Sequence, residues 1–415
     1  VKIAIVGAGV SGLTAGFLLS DHHDVTIFER EEWLGGHAHT VRVAGGDGDY
    51  DVDTGFLVFN DATYPNFISL LERLKVASIE STMSFSYHDA RSALEWKGTN
   101  LNTIFAQRRN IFKWRFVRMV WEIMSFNRTL RTLLKSDIAD DLTLRDILRQ
   151  RKWSAAFSDW YLIPMGAAIW SADPSTFDEI PLRTFSEFFS RHGLLSVRGR
   201  PVWRTILGGS KTYVERIVAK ISEQGLVRSS SPVLEVRRDG DTVKVVTKDE
   251  SLLFDHVVLA CHSDEALALL SDPTEAEKEI LGALRYQSNE VTLHWDTSLL
   301  PTQKRAWAAW NYRRESDDAT LATLTYDISA LQSLRAPREF LVSLNSDHLI
   351  NPDKVLSRFR YSHPVLDHAA VGAQRRRPEL NTERTSFCGA YFGYGFHEDG
   401  VRSALEVCET LGVSW

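Results

Sequence analysis

The sequence predicts an α/β fold of two domains, and three observations predict it. An apolar, β-branched strand runs into a glycine triplet and a helix at the start of the chain. Short strands with an Asp-Gly turn recur after residue 230. Between these regions lies a long stretch whose apolar residues recur mainly at helical spacing. At 415 residues the chain also exceeds one simple core, the usual guide being roughly 150 residues per domain.

The first unit is a strand over 2–6, Gly7, Gly9 and Gly12 in G-x-G-x-x-G spacing, a helix over 10–20, and a strand over 25–28 ending in Glu29. Gly7 permits the tight turn, Gly9 lets the backbone approach a pyrophosphate, and Gly12 lets helix and strand pack closely. The N–H groups at Val10 and Ser11 then face the phosphates. Glu29 is placed to accept from both ribose hydroxyls, with Arg30 beside it, and it would repel a 2′-phosphate, which disfavours NADP. Strand, triplet, helix, strand and acid in this order predict a dinucleotide site.

Glu29-Arg30-Glu31-Glu32-Trp33-Leu34-Gly35-Gly36-His37, followed by Val52-Asp53-Thr54-Gly55-Phe56-Leu57, resembles the flavin amine oxidase and phytoene desaturase superfamily. The resemblance implies non-covalent FAD, with Gly35, Gly36 and His37 at its phosphates and Thr54, Gly55, Phe56 and Leu57 under the flavin. It implies an FAD-binding, Rossmann-like domain of the flavin amine oxidase type, built from 1–60, 205–265 and 383–415. A mixed-sheet and helical substrate domain with a helical cap would take 61–204 and 266–382.

Further along, 62–200 is expected to be mostly helical. Residues 233–238 and 243–247 around Asp239-Gly240 predict a hairpin, which the resemblance lays against the adenine near Val233. Strands are expected over 257–260, 287–294, 320–326, 340–344 and 385–392, and a last helix to about 411. The positive end of that helix, at His397 and Glu398, with Gly389 and Ala390 before it, is expected to face the flavin.

A narrower resemblance rests on Gly35 to Thr40, Asp53 to Asn60, Thr63-Tyr64-Pro65-Asn66, Met83 to Ser86, Phe105 to Asn110, Pro164 to Ser171, Gly208-Gly209-Ser210 and Cys388 to Gly400. These blocks are similar to FAD-binding oxidoreductases associated with cyclopropane-fatty-acid synthase-like methyltransferases, and to the N-terminal half of plant cyclopropane synthases. The resemblance implies a flavoenzyme that desaturates an unsaturated or methyl-branched fatty-acyl chain of a membrane lipid, with such a methyltransferase as partner. Departures from amine oxidases point the same way. The 287–294 strand has no lysine, His37 replaces the usual arginine, and Gly389-Ala390 lacks the acid that normally follows. An amine oxidase and a non-catalytic FAD-bound partner of a methyltransferase remain the alternatives, and no catalytic base stands out.

Tyr161, Met165, Trp170, Tyr391 and Tyr394 are the candidate substrate wall; Tyr391 and Tyr394 suit sheet packing equally, and Tyr161, Met165 and Trp170 suit the core better than an acyl pocket. His37 and His39 lack a third ligand, so no metal is expected. A net charge of -6 argues against nucleic acid. Three cysteines without C-x-x-C spacing suggest a reducing, cytoplasmic setting. No run reaches the ~18 apolar residues of a membrane span. Over 107–135, however, Phe112, Phe116, Met119, Ile123 and Phe126 share a face while Arg108, Lys113, Arg115, Arg118, Arg128, Arg131 and Lys135, with Trp114 and Trp121, crowd the rest. That mixture suits either a core helix with a solvated face or peripheral contact with an anionic membrane.

Overall fold

The computed structural model describes residues 1–136, 138–196, 199–316 and 321–415. Strand β1 (Lys2–Val6), helix α1 (Val10–Leu19) and strand β2 (Asp24–Phe28) open the chain, as their pattern predicts. Helix α2 (Pro65–Arg73) follows, with its proline in the first turn, where a missing N–H costs nothing.

Helices make up most of the regular structure within 62–200, as expected, but three unexpected strands interrupt them. Ser78–Glu80, β3 (Phe85–Asp89) and Leu94–Lys97 are strands. β3 pairs in parallel with Trp310–Arg314, so its partner lies far outside any local window.

Helix α3 (Trp114–Leu133) buries Phe116, Met119 and Phe126 completely. Phe112 does not join that face, because it lies in the 3₁₀ turn before the helix and is 89% exposed. Helix α4 (Ile163–Trp170) is preceded by a π-turn at Ser158–Leu162, where the Ile163 N–H bonds to the Ser158 carbonyl. Pro164 has no N–H for the Trp160 carbonyl, and the helix widens just ahead of it.

The remaining elements that matter are β4 (Leu226–Arg228), β5 (His256–Leu259), β6 (Tyr286–His294), β7 (Val355–Pro364), β8 (Thr385–Phe387) and helix α5 (His397–Thr410). The expected strand over 385–392 stops at Phe387. A turn, Ala390–Phe392, follows, and the Tyr391 ring folds so close to Gly389 that a Cβ there would meet its Cε1 at 2.1 Å. The strand expected over 320–326 is Leu324–Asp327, and Thr320 lies outside the described residues.

The fold is α/β. One sheet has the order β4-β2-β1-β5-β8 and is parallel throughout. Parallel sheets need cover on both faces. Ile3 and Ile5 pack under α1, α5 and Lys211–Ile221, while Ala4 and Val6 pack against the antiparallel strands Val233–Asp239, Thr242–Thr247 and Ser251–Phe254. A seven-stranded sheet runs β7-β6, Leu341–Leu344, Leu324–Asp327, Trp310–Arg314, β3 and Leu94–Lys97. It shares a core with α3, α4 and Leu182–Arg191.

Candidate functional site

A cavity of about 1360 Å³ lies between the two sheets. That exceeds the roughly 300–1,000 Å³ of a typical single small-molecule site. It has room for a dinucleotide and a second molecule beside it.

One end of this cavity is formed by the glycine loop. Gly7 has φ +105°, and a Cβ there would lie 2.9 Å from the Cys261 nitrogen. A Cβ at Gly12 would lie 1.9 Å from the Gly7 carbonyl oxygen, so this glycine serves the packing of α1 on the loop. A Cβ at Gly9 would meet nothing within 4 Å, because Gly9 faces the cavity. The double glycine closes over the loop: Gly35 N–H donates to the Ala8 carbonyl at 2.8 Å, and a Cβ at Gly36 would approach Gly9 Cα to 3.2 Å. Glu29 is held at the end of β2, where Oε2 accepts from Ala8 N–H at 2.8 Å and Oε1 from Glu31 N–H at 3.0 Å.

Of the residues singled out in the sequence, Gly7, Gly9, Val10, Ser11, Glu29, Arg30, Gly35, Gly36, His37, Gly55, Phe56, Leu57, Val233, Gly389, Ala390 and His397 line the cavity. Tyr161, Met165 and Tyr391 line it too. Gly12, Thr54, Glu398, Trp170 and Tyr394 stand behind this wall, each with visible work. Thr54 Oγ1 bonds Tyr361 Oη at 2.7 Å. Trp170 Nε1 donates to the Tyr394 carbonyl at 3.1 Å, and the Tyr394 hydroxyl donates to Glu187. Glu398 accepts from the Asn66 and Phe67 N–H groups, capping the first turn of α2.

Phe56 stacks on His397, ring centroids 3.5 Å apart and planes 13° apart, and His397 Nε2 bonds the Tyr213 hydroxyl at 3.1 Å. Burial pushes His397 down to about 3, so the ring is neutral. The first-turn N–H groups of α5 have no carbonyl four residues back to bond, and Phe396 and His397 bring that end to the cavity.

The sequence reading missed Tyr361 and His363. Both line the cavity from β7, where Phe359, Tyr361 and His363 alternate with arginine and serine. That period of two was the available signal. His363 lies 5.2 Å from His37 between ring centroids, and burial lowers it to about 4. His37 is lowered further by burial, then by His363, and its Nε2 is buried without a partner. The β6 strand carries Asn289, which donates to the Ser171 carbonyl, accepts from Asn345 and bonds His363 Nδ1 at 3.1 Å.

Beyond the glycine-loop end the wall is largely apolar, with Met119, Ile123, Tyr161, Met165, Ile169 and Trp310 among its residues. The lining carboxylates, Glu29, Glu31 and Glu265, all belong to the glycine-loop end. The apolar end has Arg200, whose charge acts on Tyr161.

Comparison with known proteins agrees with this geometry. The family profile for flavin containing amine oxidoreductases matches residues 10–411. A Mycobacterium tuberculosis protein assigned as a flavin-containing monoamine oxidase is 22% identical over 352 residues, covering 79% of this chain and 71% of its own length. Cyclohexylamine oxidase from Brevibacterium oxydans IH-35A superposes with a TM-score of 0.70 at 17% identity, over 99% of both chains. The CLA-producing fatty acid isomerase from P. acnes superposes with a TM-score of 0.71 at 15% identity, over 99% of this chain and 98% of that one.

Proposed function

The chain belongs to the flavin containing amine oxidoreductases, and from that premise we propose that it removes hydride from an unsaturated or methyl-branched fatty-acyl chain of a membrane lipid. It is an FAD-dependent oxidoreductase. The residues fit the cofactor: Gly9 leaves open space for a pyrophosphate, and the buried His37 Nε2 lacks a protein partner. Glu29 would hold the ribose, Val233 the adenine, and the first turn of α5 the ring carbonyl end. When bound, FAD supplies the hydride acceptor.

The observation that carries the substrate reading is the apolar end of the cavity, which has no carboxylate lining it among the described residues. A cationic amine would lose its hydration there without an opposite charge, whereas an acyl chain loses only unfavourable contact with water. The chain's contribution is to lay a C–H bond in place and exclude water. Hydride lost from one carbon to bound FAD, with a proton lost from its neighbour and passed on to solvent, would leave a double bond between the two carbons. The lack of a lysine on β6, the strand where the resemblance places one in amine oxidases, further supports a substrate other than an amine. The CLA-producing isomerase shows that a protein of this fold handles fatty acids. The sequence blocks shared with the cyclopropane-synthase-associated group support a lipid methyltransferase as the partner that makes the branched substrate.

The test is the anaerobic visible spectrum of the FAD-loaded protein with phospholipids bearing unsaturated or methyl-branched chains, and with an amine panel. Bleaching by one lipid class and not by amines is expected. Bleaching by amines alone overturns the proposal.

A further inference from the structure

Helix α3 separates two very different surfaces. Its inner side gives Met119, Val120, Ile123 and Asn127 to the cavity wall. Its outer side presents Trp114 and Trp121, 72% and 66% exposed, two turns apart on one stripe with Arg118 and Arg128. Ile111 and Phe112 extend this apolar surface ahead of the helix. Large aromatic side chains in water are rarely clustered without a partner.

The charge of the segment is one-sided. Arg108, Arg109, Lys113, Arg115, Arg118, Arg128, Arg131 and Lys135 are all exposed. The one acid within 101–135, Glu122, is buried and held by Arg118 and Ser154. This lies in a chain of net charge -6, so the basic face is a local feature and the rest of the molecule is acidic. The cavity reaches the surface at the same place: Leu101 and Met124 line it and are 69% and 49% exposed.

We propose that the outer face of α3, with Ile111 and Phe112, docks on an anionic lipid bilayer and sets the cavity mouth at Leu101 and Met124 against the acyl region. Tryptophan and phenylalanine enter the headgroup boundary while arginine and lysine meet the lipid phosphates, the division of labour of an interfacial helix. A lipid chain then passes between Leu101 and Met124 to the inner face of the same helix without crossing water. That an acyl chain is what enters rests on the proposed function; the docking itself does not.

The experiment is co-sedimentation of the FAD-loaded full chain with phosphatidylglycerol-containing and pure phosphatidylcholine vesicles at low and high salt. Binding to the anionic vesicles at low salt is expected, reduced at least tenfold by high salt and by R118E/R128E. Vesicles with brominated acyl chains should quench the tryptophan fluorescence of the wild type. W114F/W121F should still bind and lose most of that quenching. A protein that stays in the supernatant with anionic vesicles at low salt overturns the proposal. So does equal binding by R118E/R128E with its flavin spectrum intact, or binding without bromine quenching, which would mean that the basic face meets headgroups while the tryptophans stay out of the acyl region. Vesicle binding without flavin bleaching by any lipid would leave docking standing and remove the substrate reading. Bleaching by soluble acyl substrates without vesicle binding would do the reverse.

Discussion

The Glu29 carboxylate accepts the Ala8 N–H at 2.8 Å, so the acid at the end of β2 holds the middle of the glycine loop while lining the cavity. Loss of that charge-assisted bond costs about 1.5–3 kcal/mol. Glu29→Ala should therefore raise the Kd for FAD roughly ten- to hundredfold, and Glu29→Gln, which keeps an acceptor, should raise it less. Flavin fluorescence titration of the apoprotein measures both. Equal Kd values for wild type and Glu29→Ala would remove Glu29 from the site.

Gly9 and Gly12 should separate binding from folding. Gly9 has φ −71°, which alanine adopts freely, and its Cβ direction is empty. Gly9→Ala should keep its stability within about 0.5 kcal/mol while losing FAD. Gly12→Ala should fail to fold, because its Cβ would fall 1.9 Å from the Gly7 oxygen. A Gly9→Ala protein that purifies yellow would contradict the pyrophosphate assignment.

Acid should weaken the fold through neutral buried imidazoles. His294 Nδ1 accepts from Asp296 N–H at 3.0 Å and Nε2 faces the Ser343 hydroxyl at 2.8 Å, so the ring has no room for a second proton. Burial lowers it to about 4. Above pH 6.5 folded and unfolded rings are both neutral; between about 6.5 and 4 only the unfolded ring takes a proton. Stability is thus lost as pH falls through this window, by at most about 1.4 kcal/mol per pH unit for this residue. Asp53 and Asp399, raised to about 6 by burial, act in the opposite sense, since the folded carboxyls bind protons first as pH drops. Urea unfolding at pH 7.5 and 5 should show a smaller pH difference for His294→Gln than for the wild type. Identical differences would show that the ring does not titrate with unfolding.

Ile123 lines the apolar end from the inner side of α3. Ile123→Trp should leave the flavin spectrum unchanged and lower kcat/KM for long-chain substrates about tenfold, a ΔΔG‡ of about 1.4 kcal/mol. Stopped-flow bleaching with acyl chains of increasing length measures this. A loss that is equal for short and long chains would place Ile123 away from the chain path.

The local parts of the site were legible because their causes are local. Gly7, Gly9 and Gly12 are set by one turn, and the Asp239-Gly240 turn fixes its own hairpin. β3 was hidden in an apparently helical stretch because the strand that justifies it, Trp310–Arg314, pairs across more than half the chain. The halt of β8 at Phe387 was equally hidden, since it depends on the Tyr391 ring turning back on Gly389. Glu398 is the instructive case. Its place at the start of a helix was readable from its neighbours, but its side chain serves the opening of another helix, α2, which no spacing rule reveals.

The order β4-β2-β1-β5-β8 also has a consequence for how the protein is made. The strand beside β5 is β8, so the edge of β5 stays unpaired on the ribosome until residues 385–387 emerge. Exposed parallel edges of this kind invite wrong partners. Full assembly of the cofactor sheet is therefore a late event in synthesis, and nascent chains shortened before β8 should be the ones that chaperones retain.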